Sequence, residues 1–145
     1  MSSKPTAVAI QTFLVSPARV YDAILEPDMI SRFMFAPLLR NEEILHIRNE
    51  PRIGGKFSYK VRRGEHAIDH VGTFLELDRP RRIVFTWSVA GESDEDGSVV
   101  SIDISPTDEG CSVRFSHEMP PEWADFIDRS RDAWKKMLSV LATLL

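Results

Sequence analysis

A chain of 145 residues with 43% hydrophobic and 28% charged side chains has the make-up of one ordinary globular domain, able to bury roughly 70% of its unfolded surface. Its 18 basic and 22 acidic residues give a net charge of −4, which offers nucleic acid no electrostatic footprint. One cysteine, Cys111, excludes an intrachain disulfide, and an N-terminus interrupted by Gln11, Thr12 and Pro17 excludes a secretory or membrane segment there, so the expectation is a cytoplasmic protein.

Residues 6 to 15 are rich in β-branched and aromatic side chains and predict a strand. Ser16-Pro17 then starts a short helix to about Leu25, with serine as cap and proline in the first turn. Glu26-Pro27-Asp28 breaks it and begins a second, whose apolar face is Met29, Ile30, Phe33 and Met34. From about residue 42 to 117 the period becomes two. Phe57, Tyr59 and Val61 alternate with polar neighbours, as do Ile83, Phe85, Trp87 and Val89, then Val100, Ile102 and Ile104, then Cys111, Val113 and Phe115. Such alternation predicts antiparallel strands with one face buried and one wet. Between His66 and Leu77 neither phase is uniformly apolar, which suggests a bulge. After Pro120-Pro121 a helical stripe runs through Trp123, Ile127, Ser130, Trp134, Leu138, Leu141 and Leu145, widened by Phe126, Ala133, Met137 and Leu144.

The order predicts an α+β fold of two layers, a sheet with one apolar face and a long helix that covers it. If the sheet curves around that helix, space is left between them for a small ligand.

Four segments resemble those of the activator-of-Hsp90-ATPase-homologue (AHSA1-like) family, within the SRPBCC, START or Bet v 1-like superfamily of helix-grip proteins. They are LEPDMISRFM, PRIGGKFSY, LDRPRRIVFTW and SHEMP, in the family's order and spread over nearly the whole chain. Phe33 stands where the family's second-helix motif usually has tryptophan. The resemblance implies a helix-grip fold, with a curved antiparallel sheet of six to seven strands around the C-terminal helix. It also implies a hydrophobic cavity between the two, and it brings in a chaperone as a candidate partner.

Several motifs have a chemical look. Gly54-Gly55 between Arg52 and Lys56 resembles a phosphate cradle, but the glycines lead into a strand and not a helix, so a tight backbone approach is the simpler reading. His66 and His70 would share one ion on a helix; on a strand their Cα atoms lie roughly 13 Å apart, so no metal site is expected. Glu92, Asp94, Asp96, Gly97 and Asp103 match the spacing of a calcium loop, yet strands flank them and an acidic hairpin tip is expected instead. Cys111 lacks an activating neighbour.

The aromatic set carries the functional expectation. With the family's cavity in view, Phe57, Tyr59, Phe85, Trp87, Ile102 and Phe115 of the strands should face a ligand from one side. Phe33, Trp134 and Met137 face it from the helices. His117, in phase with Val113 and Phe115, should be the polar contact, with His70 as a second. The expected function is binding of a small apolar or amphipathic ligand without a cofactor, a stress-related role being one use of it. A cyclase- or hydrolase-like enzyme and a co-chaperone-like interaction module are the alternatives, and the protein is expected to be a monomer or homodimer.

Overall fold

In the computed structural model, which describes residues 5–35, 42–91 and 98–145, the first strand is β1, Thr6–Phe13, two residues shorter than its composition predicts. Ser16 ends it by capping α1, Pro17–Leu25. Its side chain accepts from the Arg19 amide, and Pro17 takes the first turn, where an amide would lack a partner in any case. Pro27 restarts the chain as α2, Pro27–Met34, which buries Ile30, Phe33 and Met34.

Six strands follow: β2, Glu43–Asn49; β3, Lys56–Arg63; β4, His66–Asp78; β5, Arg82–Val89; β6, Ser98–Pro106; β7, Cys111–Glu118. With β1 they form one antiparallel, curved sheet in the order β1-β7-β6-β5-β4-β3-β2. In β7 the buried side chains are Cys111, Val113, Phe115 and His117, so the predicted phase runs unbroken to the histidine. The ambiguous stretch in β4 holds a register shift against β5: Phe74 faces Phe85 while Glu76 faces Val84, which leaves Leu75 as an extra, half-exposed residue. A second shift lies in β2, between Ile44 and His46.

The glycine pair belongs to the sheet. Gly54 has a φ of +82°, which favours glycine, and a Cβ on Gly55 would lie 2.2 Å from the Glu50 carbonyl oxygen. Hydrogen bonds from the Gly54 amide to the Phe74 carbonyl, and from the Phe74 amide to the Gly55 carbonyl, tie this turn to β4. The pair leads into β3, so among the described residues it opens no helix N-terminus that could receive a phosphate. Gly72 is more tightly held still: its Cβ would sit 1.9 Å from the Thr86 carbonyl oxygen and against the Phe57 ring.

The final helical region differs from the sequence reading at its start. Pro121–Phe126 is a 3-10 turn, and α3 proper is Ile127–Leu144. At three residues per turn, Trp123 and Phe126 stack on one side, and that side faces water: they are 40% and 46% exposed. Trp123 therefore does not face the sheet as its place in the stripe predicts. The Arg129 guanidinium lies over the Phe126 ring at 5.5 Å. From Trp134 onward the stripe holds, and Trp134, Met137, Leu138 and Leu141 are buried against the sheet and α2.

One continuous apolar cluster fills the space between sheet and helices. A bidentate Arg79 to Asp22 ion pair fastens the β4–β5 turn to α1 at the surface, and it holds the Asp22 carboxyl below its ordinary range. The predicted acidic tip, residues 92–97, lies outside the described residues.

Candidate functional site

The concave face of the sheet presents aromatic rings, and where α3 crosses it these rings leave a hollow. This cavity of about 130 Å³ is lined by Met34 and Phe35 at the end of α2, His70 of β4, Trp87 of β5, His117 of β7, and Ser130, Ala133, Trp134 and Met137 of α3.

Its walls are stacked rings. His70 lies between Phe35, at 5.6 Å between centroids, and Trp87, at 5.1 Å with the planes 18° apart. Trp87 meets the edge of Trp134 at 5.3 Å, and Trp134 packs on Phe115 at 4.3 Å. Rings in such contact add stabilisation beyond their buried area and leave the walls little freedom to collapse.

His117 places a polar side chain at the hollow. Its Nδ1 accepts a hydrogen bond from the Trp134 indole Nε1–H at 3.0 Å, and the imidazole is 4% exposed. Its Nε2 is buried and finds no partner among the described residues. Burial, which disfavours the charged ring, pulls the His117 pKa down to about 4, so at neutral pH the side chain is uncharged.

The sequence-predicted residues divide around this hollow. Trp87, Trp134, Met137 and His117 border it, and so does His70. Phe33, Phe57, Tyr59, Phe85, Ile102 and Phe115 are buried in the continuous cluster and do not line the cavity. The Tyr59 hydroxyl instead donates to Asn49 Oδ1, and Asn49 Nδ2 donates to the Leu25 carbonyl, a polar strut from sheet to α1. Burial raises the Tyr59 pKa well above its ordinary value, so that hydroxyl keeps its proton. His66, one pleat phase with His70 but near the hairpin tip, is exposed, and the two do not converge. Cys111 is wholly buried and its thiol pKa is raised by burial, which suits a packing residue.

Met34, Phe35, Ser130 and Ala133 line the cavity without having been read as site residues. Met34 is visible in the sequence as part of an apolar helix face, but the turn of chain that aims Phe35 at His70 leaves no periodic signal. Ser130 and Ala133 are small residues on the buried side of α3, and small residues opposite large rings are what leave room.

A larger hollow of about 820 Å³ opens on the other face of the sheet, among Arg48, Lys56, Asp69, Thr73, Thr86 and Ser88. There Ser58 Oγ donates to Asp69 Oδ1 at 2.6 Å and lies 2.8 Å from His46 Nε2. The three residue types of a hydrolase are present in the wrong order. The serine sits between acid and imidazole and points its one proton at the carboxylate, so its oxygen accepts from His46 and the imidazole is not placed to take that proton. Among the described residues no group of three or more metal-ligating side chains converges, and no helix is long and apolar enough to cross a membrane.

Comparison with known proteins agrees with this architecture. Solved structures that share the fold include a protein of Nitrosomonas europaea, 17% identical, with a TM-score of 0.80 over 100% of this chain and 96% of that one. A protein of Chromobacterium violaceum is 21% identical, with a TM-score of 0.76 over 96% and 95% of the two chains. An AHSA1-like protein of Aeromonas hydrophila, solved in solution, is 18% identical, with a TM-score of 0.77 over 95% and 90%. At these identities the likeness establishes the helix-grip fold alone. No curated protein sequence matches the chain. The family model described as "Activator of Hsp90 ATPase homolog 1-like protein" matches residues 14–145, from the end of the first strand to the last helix, and the chain belongs to that family.

Proposed function

We propose that this protein binds a small apolar or amphipathic molecule in the cavity between the sheet and α3. The observation that carries the reading is a buried imidazole nitrogen without a partner among the described residues, beside a hollow walled by aromatic rings. An unsatisfied buried polar atom costs roughly 1–3 kcal/mol, and a ligand that pairs with it recovers that loss. The family's fold commonly binds ligands, which supports the reading without naming a molecule. Chaperone binding rests on the family's name, and a cytoplasmic location on composition; both remain parts of the proposal. Enzymatic acid–base chemistry has weaker support, because no carboxylate among the described residues lines the cavity.

The test is a thermal melt with toluene as probe. The wild-type protein should gain stability as toluene rises, by about 2.7 kcal/mol at a hundredfold excess over the dissociation constant. Ala133→Leu, which fills the hollow, should fold and show no gain. Absence of any toluene effect on the wild type, or an equal effect on both proteins, would count against this pocket.

A further inference from the structure

We infer that Trp134 fixes His117 as a hydrogen-bond donor, so that the cavity selects single-ring molecules carrying a hydrogen-bond acceptor and discriminates against equally shaped ones that lack it. This inference rests on the ligand-binding reading of the cavity and specifies its chemistry.

An indole N–H only donates. The imidazole nitrogen that receives it, Nδ1 at 3.0 Å, must therefore offer a lone pair. A neutral imidazole has one proton for two nitrogens, so that proton resides on Nε2, and Nε2 is the buried atom without a partner among the described residues. The tautomer follows from the partner at the other nitrogen. The group presented is thus an N–H, which a carbonyl, ether or carboxylate oxygen or a nitrile nitrogen can satisfy and a hydroxyl or amine proton cannot.

Among the described residues the other lining groups are mainly apolar. Met34, Phe35, Trp87, Ala133 and Met137 bring apolar surface. The Ser130 hydroxyl points to the Met119 sulfur at 3.8 Å. His70 is held between two rings. Size narrows the class further, because a cavity of about 130 Å³ is close to the ~150 Å³ apolar cavity known to accept benzene in another protein. One ring with one acceptor fits; a fused ring system does not fit this form of the cavity.

Trp134 is then a positioning residue that acts through His117. Benzonitrile and phenylacetylene form a suitable probe pair, since they have nearly the same shape and only the nitrile accepts a hydrogen bond. Calorimetric titration of the wild-type protein should show benzonitrile binding about tenfold more tightly. In Trp134→Phe, which keeps a ring and removes the indole N–H, that ratio should fall toward one. Nitrogen-15 NMR of the wild-type imidazole should show His117 protonated at Nε2 and bare at Nδ1, and a mixture in the variant. If Trp134→Phe does not fold, His117→Phe gives the same comparison, with the donor itself removed.

Equal binding of the two probes to the wild type would overturn the selectivity and leave the pocket standing. Binding of neither would overturn the pocket reading and the selectivity together. A wild-type His117 protonated at Nδ1 would overturn the tautomer assignment whatever the probes do.

Discussion

His117 is uncharged because its surroundings are dry, and this makes it a source of acid sensitivity. Its pKa in the folded protein is about 4, against an ordinary value of 6.5. As pH falls from 6.5 the unfolded chain takes up the proton first, so its free energy falls relative to the native state. The stability associated with this residue is therefore complete above about pH 6.5 and is lost progressively down to about pH 4, to the extent of roughly 3 kcal/mol. His70 is the other titratable group that lines the same cavity. His117→Gln keeps an acceptor for Trp134, removes the titration and leaves His70 unchanged. Urea unfolding at pH 7 and pH 4 should show the wild type losing about 3 kcal/mol more than this variant. Equal losses would mean that burial does not hold the histidine neutral. The sequence carries part of this in plain view, since the alternation Cys111, Val113, Phe115, His117 puts the imidazole on the buried face. The Trp134 contact that leaves Nε2 as the donor joins residues 17 positions apart and follows from how α3 lies across the sheet. No local pattern encodes that crossing.

Among the elements, α3 shows how far periodicity can be read. Its stripe is correct wherever the backbone keeps 3.6 residues per turn, from Trp134 to Leu141. It fails at Trp123 and Phe126, where Pro120-Pro121 enters a 3-10 turn and no side chain caps the helix that follows. The Trp123 amide bonds to the Pro120 carbonyl, a spacing of three that rotates the next residues out of the stripe. The two regions should respond differently to mutation. Leu141→Ala, at a position with no exposure, should cost about 2–5 kcal/mol in chemical denaturation. Phe126→Ser, at the exposed turn, should change stability by no more than about 0.5 kcal/mol. Comparable losses at both sites would show that the turn is packed in solution. The strands were legible for a simpler reason: turn chemistry and period two are local, and each strand reports its own buried face. The bulge in β4 shows the limit, because an extra residue reverses the phase within one strand and spoils the alternation by which faces are assigned.

At the scale of the whole molecule, the aromatic residues expected to surround a ligand mostly hold the fold together. Phe57 touches Tyr59, Phe74, Phe85 and Trp87, and this group occupies the space that a larger pocket would need. A sequence identifies which rings face inward; it does not say how completely they fill what they face, because that depends on the sum of volumes contributed by β3, β4, β5 and α3. The outer strands of the sheet have a further consequence. β1 lies alongside α3, whereas β2 ends the sheet at the opposite side, and there the register shift at Leu45 interrupts the ladder beside Glu43 and Arg48. An uninterrupted border of free amides and carbonyls would recruit a strand from a neighbouring molecule, and with Ile44 and Leu45 partly exposed the recruited strand would find apolar cover. The extra residue bends this border out of the plane such pairing requires. Deletion of Leu45 should straighten it, and light scattering of a concentrated, folded sample should then report larger species than the wild type forms. If the deletion variant scatters as the wild type does, the bulge has no part in keeping molecules apart. The irregularity in β2, which looks like an imperfection in the sheet, is on this prediction a guard against edge-to-edge association.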